Sequence, residues 1–171
     1  MRAAPDQSSD DLTILLVEDS VGDATALRRA MTRVNSGVTL KVATTAEAAL
    51  PLFDSRDRGF DICLFDINLP GLSGLDLLAR VKPWNRNLPI LMLSTSQSEA
   101  EINRAFALGA DGYLVKPYDF SGFDAIAHYV CDCWFDGAPS DLARRAHVVL
   151  PRADQEWIVQ AQRAGSQVQS G

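Results

Sequence analysis

The sequence predicts an α/β fold: a doubly wound, five-stranded parallel sheet with helices on both faces, plus a C-terminal extension. Two observations predict it. Short runs at residues 14–17, 62–65 and 90–93, with weaker ones at 40–42 and 113–115, are apolar at nearly every position, as strands covered on both faces must be. Between them lie stretches with helical punctuation, and strict alternation of strand and helix builds a sheet from right-handed crossovers. A length of 171 residues, 47% hydrophobic and 22% charged, fits one folded core of ordinary size.

Strand one ends in Glu18 and Asp19, and Asp23 falls near the start of the helix that follows, where the dipole favours a carboxylate. After strand two, Thr44 and Glu47 have the spacing of a capping box for helix two, and Pro51 inside its pattern should kink the helix or end it early. Strand three ends at Asp66, and the turn from Asn68 through Gly71 precedes helix three. Strand four is followed by Ser94, Thr95 and Ser96. Ser98 with Glu101 reads as the capping box of helix four, and Gly109 as its C-terminal cap. Strand five runs into Lys116 and Pro117. An amphipathic fifth helix spans about 120–135, with Phe123, Ile126, Ala127, Val130 and Trp134 on one face.

Sixteen basic against 22 acidic residues, a formal charge of -6, disfavour direct DNA binding. No apolar run approaches the roughly 20 residues that span a bilayer. Residues 1–11 are polar and read as a disordered N-terminus without a signal peptide, so the expected location is cytoplasmic, away from membranes. Cys63, Cys131 and Cys133 lack zinc spacing and read as reduced packing residues; His128 and His147 read as surface residues.

In such sheets the site forms beyond the carboxyl ends of the strands, which gathers Glu18, Asp19, Asp66, Asn68, Ser94, Thr95 and Lys116. Each has an ordinary structural reading as a cap, a turn residue or a solvated charge. Jointly that reading fails. Two like charges ~4 Å apart repel by about 4 kcal/mol at an effective dielectric near 20, so three clustered carboxylates require a cation. Oxygen ligands select a hard one, Mg²⁺ by default. A carboxylate beside Mg²⁺, a lysine and a hydroxyl is the constellation needed to accept a phosphoryl group.

The segments LLVEDSVGDA, DICLFDINLPGLSGLDLL, LPILMLSTSQS and LGADGYLVKP resemble the four signature segments of the response-regulator receiver domain of two-component signalling, over about residues 12–135. The resemblance implies a flavodoxin-like receiver fold with strand order 2-1-3-4-5. It implies Asp66 as phosphoacceptor, Asp19 as direct Mg²⁺ ligand, Glu18 as ligand through water, and Asn68 offering its backbone carbonyl. Ser94 becomes the switch hydroxyl with Thr95 beside it, Lys116 the phosphate-pairing cation, Tyr113 the aromatic that turns inward on activation, and Lys116-Pro117 a cis peptide. It also implies a sensor histidine kinase as partner, and a signalling protein that catalyses only its own phosphorylation and dephosphorylation. The loop at residues 18–23 and the turn at 94–97 look most like small regulators paired with phytochrome-type kinases.

Two alternatives share the fold: an FMN-binding flavodoxin-like protein, opposed by the two carboxylates after strand one, and a pseudo-receiver scaffold, which has no reason to keep its acids complete. A haloacid-dehalogenase-type phosphohydrolase needs a second acid where Asn68 stands. Residues 136–171 are too short for the usual output domains, so a single-domain regulator is expected. Their apolar clusters at 148–150 and 157–159, with Tyr129, Trp134 and Phe135 on helix five, suggest an arm that leaves its own domain and packs on a second copy in a homodimer; folding back is the alternative.

Overall fold

The computed structural model describes residues 11–54, 59–135, 148–150 and 158–159. Its elements run β1 Leu12–Val17, α1 Val21–Val34, β2 Val38–Ala43, α2 Ala46–Ala49, β3 Ile62–Asp66, α3 Gly74–Val81, β4 Ile90–Ser94, α4 Glu99–Ala107, β5 Gly112–Val115 and α5 Phe123–Phe135, then β6 Val148–Leu150 and β7 Ile158–Val159. The five expected strands are parallel and lie in the order β2-β1-β3-β4-β5.

The continuous apolar runs are explained by two cores. Leu15, Val17, Cys63, Phe65 and Met92 face one layer, packing with Ala46 of α2, Leu77 and Leu78 of α3, and Ile102 and Ala105 of α4. Their alternates Ile14, Leu16, Ile62, Leu64, Leu91 and Leu93 face the other, against Leu27 and Met31 of α1 and Phe123, Ile126, Ala127 and Val130 of α5. Period-two alternation thus hides inside a run that reads as uniformly apolar.

Local punctuation matches in part. α2 stops at Ala49 and passes into a 3₁₀ turn, Leu50–Phe53, with Pro51 near its start, so the helix ends early as Pro51 requires. Its cap is Thr45, not Thr44: the Thr45 hydroxyl accepts from the Ala48 N–H at 3.1 Å. That shift of one residue leaves Glu47 unable to close a box, and its carboxylate instead accepts from the Leu72 N–H at 3.1 Å. Ser98 stands at the N-cap of α4 without a side-chain capping bond. Gly109, at φ +96°, ends α4 as expected, its N–H bonded to the Phe106 carbonyl at 3.0 Å. A reciprocal box that the sequence reading missed opens α3, where Ser73 pairs with Asp76, an aspartate in the position usually held by Glu or Gln.

Two expectations about the C-terminal part are corrected. The apolar cluster at 148–150 does not leave its own domain: β6 pairs parallel with β5, Tyr113 opposite Val149, and β7 pairs antiparallel with β6. The sheet becomes seven-stranded. The physical reason is that β5 would otherwise present an edge of unpaired N–H and C=O groups, which a parallel strand satisfies. Tyr129, expected as exposed aromatic surface, is buried in the layer under α5. Cys63 and Cys131 are buried thiols outside any disulfide and His128 is exposed, as read. The expected disorder of the N-terminus before Asp11, the side chains of Cys133, Trp134 and Phe135, and His147 lie outside the described residues. Among those described, no helix is long and apolar enough to cross a membrane.

Candidate functional site

Four strand ends converge. Glu18 follows β1, Asp66 closes β3, Ser94 closes β4 and Lys116 follows β5, and all four are buried. Glu18, Asp19 and Asp66 each bring a carboxylate oxygen within 4.8 Å of the others, with Asp19 on the exposed side. The Lys116 Nζ lies 2.6 Å from Glu18 Oε2, 3.0 Å from Asp66 Oδ2 and 3.1 Å from Asp23 Oδ2. One ammonium therefore faces several carboxylates, and the site keeps an excess of negative charge. An all-oxygen donor set with that excess fits a hard divalent ion, which Glu18, Asp19 and Asp66 could hold.

Local structure aims these groups. The Asn68 N–H donates to Asp66 Oδ1 at 3.1 Å, so each carboxylate oxygen of Asp66 has its own donor. The Ser20 N–H donates to Glu18 Oε1 at 3.0 Å, and the Ser20 hydroxyl caps α1 by accepting from the Asp23 N–H at 3.2 Å. Behind Asp66, α3 begins so close that a Cβ on Gly74 would lie 2.1 Å from the Asp66 carbonyl oxygen; only glycine fits.

Burial is the strongest influence on Glu18 and, with the charge of Asp66, holds its carboxyl well above the ordinary 4.5 despite the hydrogen bond from Lys116. Burial alone would lower Lys116, but hydrogen bonds to Glu18 and Asp23 and the charges of Asp66 and Glu18 outweigh it, keeping the ammonium above its ordinary range. Burial, then the hydrogen bond to Glu101, pushes the Tyr113 phenol up.

The expected phosphate-facing residues are gathered less completely. Ser94 Oγ accepts from the Ser96 N–H at 3.1 Å and donates to Glu101 Oε1 at 2.7 Å. Thr95 is exposed one residue beyond. Tyr113 is fully buried, its hydroxyl 2.5 Å from Glu101 Oε1 and 3.0 Å from the Ser96 carbonyl, so the ring expected to turn inward is already inward here. The Lys116–Pro117 bond is trans, correcting the expected cis isomer, and no described peptide is cis. Trans is the preferred isomer of an X–Pro bond by about 0.5–1 kcal/mol, and the Lys116 N–H bonds the Ser94 carbonyl at 2.7 Å in this form.

Two residues at the site were missed. Asp23 reads equally well as a dipole-favoured helix charge, although its place one turn into the helix after Glu18 brings it to Lys116. Glu101 was hidden by its capping-box spacing to Ser98.

Residues 14–127 match the response regulator receiver domain. The two-component response regulator ARR14 of Arabidopsis thaliana is 31% identical over 112 residues, covering 66% of this chain and 29% of that protein. The two-component response regulator PhoP of Pseudomonas aeruginosa is 31% identical over 115 residues, 67% of this chain and 49% of that protein. The chain thus spans half or less of these relatives. Response regulator RPA3017, in red light signalling of R. palustris, aligns at TM-score 0.67 and 28% identity, covering 74% of this chain and 96% of that one. The match spans about two thirds of the chain and the strand order agrees with it, so the chain belongs to the response regulator receiver domain family.

Proposed function

We propose that this chain accepts a phosphoryl group on Asp66 from a phosphohistidine of a sensor histidine kinase, in a Mg²⁺-dependent reaction, and signals through the face formed by α4, β5 and α5. The observation that carries the reading is Asp66 Oδ2 lying 3.0 Å from Lys116 Nζ, both residues buried, with carboxylate oxygens of Glu18 and Asp19 within 4.8 Å of one on Asp66. An Asp66 oxygen attacks phosphorus in line; the P–O bond forms as the P–N bond breaks, and that electron pair stays on the imidazole nitrogen. The Asn68 N–H holds Oδ1, Lys116 offsets charge on the transferring oxygens, and the Ser94 hydroxyl can donate to one of them. Mg²⁺, when held by Glu18, Asp19, Asp66 and the Asn68 carbonyl, supplies further charge neutralisation.

The likeness to RPA3017, a response regulator in red light signalling, supports a phytochrome-type kinase as donor. Acidic net charge supports a protein partner over DNA, and we propose a cytoplasmic location. We also propose a homodimer formed through α5 or the C-terminal extension, whose β7 stands at the end of the described sheet. Labelling with acetyl phosphate tests the core of this reading: incorporation is expected with Mg²⁺ and lost without it, and an Asp66→Asn variant that labels as well as wild type overturns it.

A further inference from the structure

The phosphoryl chemistry above does not use Glu101, yet its Oε1 atom is where the two switch residues meet, accepting from Ser94 Oγ at 2.7 Å and lying 2.5 Å from the Tyr113 hydroxyl. Ser94 and Tyr113 are fully buried, and Glu101 reaches them from the first turn of α4. From that position a glutamate ordinarily turns back to the N-cap N–H. Here the Ser98 N–H is already taken by the Ser96 hydroxyl at 3.1 Å, so Glu101 is not required for the cap.

A serine hydroxyl has one proton to give. The Ser94 oxygen already accepts from Ser96, and its proton goes to a carboxylate, a charge-assisted bond roughly twice as strong as a neutral one. A phosphoryl oxygen on Asp66 needs the same proton. We infer that Glu101 is a positioning residue that competes with the phosphoryl group for the Ser94 hydroxyl and couples the outcome to Tyr113 and α4. When Ser94 turns to the phosphoryl group, Glu101 loses one of its two donors. The helix that carries it is then held to the sheet by the Tyr113 hydroxyl alone, whose single proton is shared with the Ser96 carbonyl. The inference rests on Asp66 as phosphoacceptor.

The test is the affinity of the full chain for beryllofluoride, a phosphoryl mimic, in the presence of Mg²⁺. Glu101→Ala is expected to bind about tenfold to a hundredfold tighter than wild type, the scale of losing one competing hydrogen bond to a charged group. Glu101→Gln, which keeps the shape but not the charge, should fall between. In a Ser94→Ala background the same Glu101 substitutions should change nothing, because the contested proton is gone; a structural role for Glu101 would persist there. Equal or weaker binding by both Glu101 variants, or an undiminished effect without the Ser94 hydroxyl, overturns the inference. Wild type that fails to bind beryllofluoride overturns the phosphoacceptor reading itself, and this inference with it.

Discussion

Lys116 is buried with three carboxylates on its ammonium, those of Glu18, Asp23 and Asp66. Removing one partner of a buried ion pair strands the others at a cost of about 3–5 kcal/mol. Lys116→Met is therefore expected to lower stability at neutral pH by an amount on that scale in urea unfolding, without added metal. The sign of its pH dependence follows from Glu18, whose carboxyl is already raised by burial. A group with a raised folded-state pKa contributes stability that is present below the unfolded value, here the ordinary 4.5, and lost as pH climbs through the raised one. Without the ammonium that loss grows, so the gap between variant and wild type should widen from pH 4.5 upward; a gap that narrows contradicts the charge assignment. Metal binding divides the acids further. If Asp19 is a direct ligand and Glu18 acts through water, as the family resemblance implies, Asp19→Asn should weaken Mg²⁺ affinity more than Glu18→Gln; equal dissociation constants in a calorimetric titration would reject that order.

At the scale of elements, caps and strand ends do the positioning. Ser73→Ala opens the box at the start of α3 and should lower stability by about 1 kcal/mol. Hydrogen bonds from the Ser73 side chain and N–H hold the Asp76 carboxyl below its ordinary 3.8, so this contribution is present above that value and lost as pH falls through the lowered one. The difference between Ser73→Ala and wild type should accordingly shrink in acid, as measured by urea unfolding at several pH values. Beside the site, a groove of about 470 Å³ runs between α1 and the start of α5, with Val21 and Phe120 exposed and Arg29 and Arg33 on its wall. If the kinase docks there, Phe120→Ala should slow phosphotransfer from the kinase several-fold while labelling from acetyl phosphate, which needs no docking, stays unchanged. The five strands and the acids at their ends were legible because a strand buried on both faces leaves an unbroken apolar run, and polar residues just past such a run stand out. Caps were less legible. Thr44 and Thr45 differ by one residue with the same chemistry, and only the observed hydrogen bond decides between them. Glu101 fits a cap in one dimension, but the fold turns it to Ser94 and Tyr113 across 7 and 12 residues of chain.

At the scale of the molecule, the extension changes what β5 is. In a five-stranded sheet β5 is an edge; with β6 beside it, the strand that carries Tyr113 is paired on both sides. No local pattern in the sequence says which chain an apolar segment will pair with, which is why residues 148–150 read as an arm. Removing everything after Gly137 should quicken amide exchange in β5 and, under the proposed homodimer, convert a dimer to a monomer in light scattering; full-length protein that is monomeric at high micromolar concentration contradicts the dimer. An acyl phosphate on aspartate is reduced by borohydride to homoserine, which marks the acceptor covalently. After reaction with acetyl phosphate and Mg²⁺ and then borohydride, peptide mass spectrometry should find homoserine at position 66 and unmodified Glu18, Asp19 and Asp23. Protein that takes up phosphate but carries the mark at another acid, or none at position 66, would contradict the account.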